Sequence, residues 1–243
     1  MKTYTAKNIL TDNKIRQDGE VKLYFCGIFF RFCKFLSKNF SKKYAFNVKT
    51  PTEPCVYLCR HLNLHGAIAV NKSSNFDFQT YVLNVFTKPK SCFKQFYNYT
   101  FSKKINKSKF KAFFPSFLAS FWVPLLCKSG KTIPVYRNNA QSFKTIKTSL
   151  NSLLDGKNLL IFPDVDYTET SREEKSEIYS GFLCIEKLYF KKTGKHVKFI
   201  PLIIDEKNNA INELKAITFT GDVPFEKEIQ TVSSKIAEGI FSN

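Results

Sequence analysis

The block Leu159-Leu160-Ile161-Phe162-Pro163-Asp164-Val165-Asp166 constrains this chain more than any other stretch. An apolar run this short, stopped by a proline, fits a strand with both faces covered. Such strands belong to sheets flanked by helices, and α/β proteins carry their chemistry beyond the carboxyl ends of those strands. Asp164 and Asp166 therefore stand where a functional group is expected. A second run, Cys55-Val56-Tyr57-Leu58-Cys59, ends alike and delivers Arg60-His61-Leu62-Asn63. Two strand ends carrying an imidazole and carboxylates point to acid/base chemistry.

The remaining pattern alternates in the same manner. Helices are expected over about 21–40, from His65 onward, over 113–127, 141–154, 181–192 and 225–241. Asp155-Gly156 and Gly194 supply stop signals for two of them. Strands are expected at 55–59, 80–86, 132–136, 158–162, 197–204 and 216–220. This order predicts an α/β fold with a central mixed or mostly parallel sheet flanked by helices and an N-terminal helical appendage. A chain of 243 residues suits one domain. Within it, residues 1–50 read as the N-terminal helical segment and 51–243 as the α/β body.

Charge is distributed unevenly. The formal net charge is +18, and residues 87–131 hold ten lysines with no Asp or Glu. From Phe162 onward, fourteen acids face eleven bases. A basic front half attracts polyanions: nucleic acid, anionic headgroups or an acidic carrier protein. Phenylalanines interleave with these lysines, as in Phe110-Lys111-Ala112-Phe113-Phe114, which suits a membrane surface. Val21–Leu36 is interrupted by Lys22, Arg31 and Lys34, with Arg31, Lys34 and Lys38 on one stripe of an apolar helix. Phe113–Cys127 contains Pro115 and Pro124 and is shorter than the roughly 18–20 residues of a spanning helix. Interfacial helices and basic helices folded onto the core are the two readings of these stretches. The expectation is a cytoplasmic protein, peripheral on the inner face of a membrane, without a spanning helix. Seven scattered cysteines without a C-x-x-C pair fit reduced thiols, and the polar residues 1–20 give no secretory leader.

Several chemistries are disfavoured. Lys128-Ser129-Gly130-Lys131-Thr132 looks like the end of a P-loop, but Leu125 occupies the place of the earlier glycine and a strand follows instead of a helix. His61 and His65 have the spacing of two metal ligands on a helix, yet His61 closes a strand, so no metal is expected. No G-x-S-x-G elbow exists, and Cys59 lies within a buried run. What remains is His61 as a general base acting on a substrate hydroxyl.

Four segments follow in order: Arg60-His61-Leu62-Asn63-Leu64-His65-Gly66, Ile133-Pro134-Val135-Tyr136-Arg137, Ile161-Phe162-Pro163-Asp164 and Phe199-Ile200-Pro201-Leu202-Ile203-Ile204. The series resembles the four blocks of the glycerol-phosphate acyltransferase family, the PlsC-like lysophospholipid acyltransferases. That family has a strand-end H-x4-D, a block ending in a phosphate-contacting Arg, an F-P-E-G block and an apolar strand with a proline. The resemblance covers about 55–205. Gly66 stands where the family has its catalytic Asp, and Asp164-Val165 stand where it has Glu-Gly. The family's Arg after that glycine has no counterpart.

The resemblance implies transfer of a fatty acyl group from acyl-CoA or acyl carrier protein to the hydroxyl of a glycerol-phosphate or lysophospholipid acceptor. His61 would be the general base, and Asp164 or Asp166 would supply the carboxylate lost at Gly66. Arg60, Asn63, Arg137 and Pro163 would bind substrate. No cofactor beyond the acyl donor is implied, and no nucleic acid is expected. The alternatives are a catalytically degenerate protein of this fold that binds anionic lipid or acyl carrier protein, and a basic nucleic-acid-binding protein.

Overall fold

The computed structural model describes residues 21–40, 42–62, 65–104, 108–137, 139–164 and 178–242. At its centre is the apolar run Cys55–Cys59, strand β2, buried at every position. The other strands are β1 (Ala45–Asn47), β3 (Gln79–Leu83), β4 (Ile133–Val135), β5 (Leu159–Ile161), β6 (Lys198–Asp205) and β7 (Ala210–Glu213). They form one seven-stranded sheet in the order β1-β7-β6-β2-β5-β3-β4. Every neighbouring pair is parallel except β6 and β7. That exception follows from the connection. A tight turn joins β6 to β7, and Asp205 Oδ1 accepts the main-chain N–H groups of Lys207 (3.0 Å) and Asn208 (2.9 Å) there. Parallel neighbours need longer crossovers, most of which here carry helices.

Side chains alternate across the pleat. Val56 and Leu58 of β2, Leu159 and Ile161 of β5, and Phe199 of β6 share one core. Helices α5 (Asn139–Leu154), α6 (Cys184–Thr193) and α7 (Phe225–Phe241) cover it with Leu153, Ile185, Val232, Ile236 and Ile240. Cys55, Tyr57, Cys59, Leu160, Ile200 and Leu202 point the other way. There α2 (His65–Ser73) brings Ala69 and Val70, beside the ring cluster Tyr57, Phe76 and Phe78.

The predicted α/β class is the observed one, with corrections at the edges. The strand expected at 216–220 is a single antiparallel bridge between Phe199 and Ile217, with N···O distances of 2.9 and 2.8 Å. β7 takes that edge of β6 from Leu202 onward, so only one residue of the later segment finds a partner. β1 and β7 escape a sequence reading because Ala-Phe-Asn and Ala-Ile-Asn-Glu lack an apolar run.

The expected N-terminal helix is α1 (Ile28–Phe40). β1, within the first fifty residues, pairs with β7 of the sheet. Residues 22–27 form a strap. The buried Asp77 carboxylate accepts the N–H groups of Phe25 and Cys26, both at 2.7 Å, and Gly27 N–H donates to the Ser129 carbonyl at 2.8 Å. Lys34 leaves the expected polar stripe of α1, because its ammonium turns inward to Ser74 Oγ at 2.9 Å while Arg31 and Lys38 stay exposed.

The lysine-rich segment ahead of the Phe/Trp helix contains α3 (Pro89–Gln95) and a π-helical stretch, Phe96–Lys104. The Phe/Trp helix, α4, runs over Lys109–Ser129 and is longer than expected despite Pro115 and Pro124. Ser116 and Ser120 back-bond to the carbonyls of Ala112 (2.6 Å) and Phe117 (2.7 Å) within it.

Candidate functional site

Because β2, β3, β4, β5 and β6 are mutually parallel, their carboxyl ends lie on one rim. β2 ends at Arg60-His61, the neighbouring β5 at Pro163-Asp164, and the edge strand β4 at Tyr136-Arg137. An edge position also accommodates Pro134, whose missing N–H is not needed by a further strand. Thr145 of α5 fastens the end of β4, accepting the Tyr136 N–H at 3.2 Å and donating to the Pro134 carbonyl at 2.9 Å.

His61 and Asp164 meet directly. Oδ1 of Asp164 accepts the main-chain N–H of His61 at 2.9 Å, and the His61 ring stands edge-on to Phe162 at 5.5 Å. Asp164 is buried. Burial pushes its carboxyl above the ordinary range, opposed by the His61 N–H and by the nearby His61 and Arg60 charges. The chain after Pro163 is tied back on itself. Asp164 bridges Ile178, and Tyr179 N–H donates to the Pro163 carbonyl at 2.8 Å. Tyr179 in turn carries Arg137, whose guanidinium carbon lies 5.5 Å from the ring centre.

The other expected site residues separate. Arg137 is exposed at the rim, whereas the Arg60 guanidinium rests 4.7 Å from the ring of Phe241 at the end of α7. Pro163 is buried and shapes the turn instead of facing solvent. Asn63 and Asp166 lie outside the described residues.

Gly66 has a steric reason. A Cβ at this position would collide with the carbonyl oxygen of Arg60 and lie 3.1 Å from that of His61. The helix start sits directly on the preceding main chain, with Gly66 N–H donating to the His61 carbonyl and His65 N–H to the Leu62 carbonyl, both at 3.1 Å. Leu62 takes a left-handed φ of 45° to make this return. No side chain, and so no aspartate, fits at 66 without moving backbone.

A second polar cluster occupies the same rim. His65 Nε2 lies 2.8 Å from Oε1 of Glu206 and 2.8 Å from the Tyr44 hydroxyl. Tyr44 also reaches both Glu206 oxygens, at 3.0 and 2.9 Å, and Lys42 pairs with Oε2 at 2.7 Å. The Lys42 hydrogen bond, helped by Tyr44, holds the Glu206 carboxyl below its usual range. Sequence reasoning weighed His65 only as a metal ligand and missed Glu206. The signal was present: Asp205-Glu206 closes β6 as Pro163-Asp164 closes β5. Among the described residues, no three His, Cys, Asp or Glu side chains group as a metal would require.

A groove of about 450 Å³ lies apart from both clusters, along the edge strand β4, lined by residues including Phe121, Pro124, Leu125, Lys128 and Pro134. Lys128 and Ser129 end α4 and Gly130 caps it, a setting unlike the strand-to-helix turn of a P-loop. Compared with models of known families, with curated proteins and with solved structures, the chain matches none.

Proposed function

We propose that this rim transfers a fatty acyl group from acyl-CoA or an acyl carrier protein to the hydroxyl of a glycerol-phosphate or lysophospholipid acceptor. One observation carries the reading: the strand end bearing His61 is bonded at 2.9 Å to the strand end bearing Asp164, and Tyr179, bonded to Pro163, carries Arg137 on the same rim. The His61 imidazole takes the acceptor's hydroxyl proton as the oxygen attacks the thioester carbonyl. The C–O bond forms, the C–S bond breaks, and the imidazolium returns the proton to the departing thiolate. Such general-base assistance contributes about 10²–10⁴-fold. Asp164 is a positioning residue, since its carboxylate grips the main chain on which the imidazole stands. Arg137 offers the acceptor phosphate a forked, charge-assisted contact. The basic front half suits an acidic carrier or a phosphorylated donor.

Gly66 favours one second reading, a lipid- or carrier-binding protein without turnover, because the position that would hold a charge-stabilising acid cannot accept a side chain. Labelled acyl-CoA or acyl carrier protein with lysophosphatidate separates the two. Turnover is expected, abolished by His61→Ala, with a raised acceptor KM in Arg137→Lys. Robust turnover in His61→Ala would remove His61 from the role of base. Saturable binding of donor and acceptor without product would favour the second reading. His65→Gln, made in parallel, reads the contribution of the neighbouring imidazole held by Glu206.

A further inference from the structure

α4 is built inside out. Its buried positions are Ala112, Ser116, Ser120, Pro124 and Cys127, a row of small residues one turn apart. Its large side chains face outward, including Phe113, Phe114, Phe117 and Phe121, with Phe110 93% and Trp122 57% exposed. Three of these rings, Phe113, Phe117 and Phe121, form a ladder. Phe113 lies 6.4 Å from Phe117, and Phe117 lies 5.1 Å from Phe121, centre to centre. A separate ring contact joins α4 to α1, Phe29 stacked on Trp122 at 5.5 Å, and α1 adds the exposed Ile28, Phe32 and Phe35. Scattered exposed apolar residues are ordinary, but a contiguous face of this kind marks an interaction surface.

The charge around the face selects its partner. Lys109 and Lys111 open α4, Lys128 and Lys131 lie at its far end, and Arg31 and Lys38 are exposed on α1. No Asp or Glu occurs anywhere in 87–131. A second copy of this chain would bring lysine against lysine around the apolar area, with no acid from this segment to neutralise them. A nucleic acid strand would satisfy the lysines and leave the aliphatic Leu118 and Leu125 in water. An anionic bilayer offers acyl chains to the rings and negative headgroups to the lysines at once.

We propose that α1 and α4 dock in the plane of an anionic lipid bilayer, with the aromatic ladder at the boundary between headgroups and acyl chains. By length and composition α4 qualifies to cross a bilayer, its 21 residues extending about 32 Å. Its packing argues for the plane instead. The small-residue row is covered by α3 and the π-helical stretch, and α3 would carry exposed Lys90 and Lys94 into the hydrocarbon if α4 spanned it.

Trp122 is the sole tryptophan of the chain, so its fluorescence reports this face directly. The experiment titrates the full chain with phosphatidylcholine vesicles and with vesicles containing about 30% phosphatidylglycerol. The expected result is a blue shift with the anionic vesicles only, weakened by salt. Lipids brominated near the headgroup end of the acyl chain should quench more strongly than lipids brominated at its terminus. Each of Lys109→Gln and Lys128→Gln should weaken vesicle affinity about fivefold. Phe117→Ser combined with Phe121→Ser should weaken it more than tenfold, with unchanged circular dichroism and thermal midpoint. Absence of any shift with anionic vesicles would overturn the proposal. Maximal quenching by terminal bromines would replace it with a spanning helix. A lipid-free dimer by sedimentation, with Trp122 already shielded from acrylamide, would assign the face to a second copy. Capture by single-stranded RNA with no response to vesicles would assign it to nucleic acid.

Discussion

Helices α4 and α7 are both long and both lie against the body, yet they bury opposite kinds of residue. α7 begins with Glu226 and Glu228 in its first turn and turns Val232, Ile236, Ala237 and Ile240 into the core over β6. Its apolar stripe is used up by the sheet. α4 has apolar residues on every side, and the side it buries carries Ala112, Ser116 and Ser120. Small residues let α3 and the π-helical stretch approach closely, while the rings are left outside. A wholly buried helix is apolar all round because protein surrounds it. α4 is apolar all round and half uncovered, and its uncovered side is the one the proposed bilayer contact would fill. Apolar residues thus fill the core in α7 and form an exposed face in α4.

The largest expected contrast is in stability. Ile236→Ala removes a fully buried side chain and should cost about 2–5 kcal/mol in denaturant unfolding. Leu118→Ala in α4, where the side chain is exposed, should stay within about 0.5 kcal/mol. Equal losses at the two sites would mean that the α4 face is covered within the protein. Next in size is Ser116→Leu, which forces a large side chain into a fully buried small-residue position and should cost about 1–3 kcal/mol. A neutral result would show that α4 does not press on its neighbours. Phe110→Ala should leave unfolding almost unchanged and register only as weaker vesicle binding, since 93% of that residue is exposed.

The smallest effect concerns Lys34, the one inward lysine of α1. Burial lowers its ammonium from 10.5 to about 8, with Asp77 opposing that shift. Between those values the unfolded chain holds the proton more tightly than the folded one. This group therefore makes stability rise as pH increases from about 8 towards 10.5. Lys34→Met should flatten that part of the stability profile, whereas Lys38→Met, exposed on the same helix, should leave it unaltered.

Much of the rim was readable before folding. Pro163 stops β5, Cys59 gives way to Arg60-His61, and the strand–helix alternation makes these ends coincide, so His61, Asp164 and Arg137 share a rim by topology. Their contact was partly readable, since neighbouring parallel strands put the ends of β2 and β5 side by side. Its form was not. That Asp164 takes the main-chain N–H of His61 depends on how far the Phe162–Asp164 turn rises above the sheet, a distance fixed by the Asp164–Ile178 bridge and the Tyr179–Pro163 hydrogen bond. The His65–Glu206–Tyr44 cluster joins residues 162 positions apart in the chain, and no local pattern encodes that meeting.

By itself, then, the sequence determined the class of fold, the strand ends that meet at one rim and the basic, phenylalanine-rich character of the front half. These follow from local periodicity, proline stops and composition, which act over a few residues. Tertiary structure alone decided the polar edge strands β1 and β7, the close approach that bars a side chain at Gly66, and the outward direction of the α4 rings. Each depends on which surfaces meet across the fold, and a helix apolar on every side carries no local instruction about which side to bury.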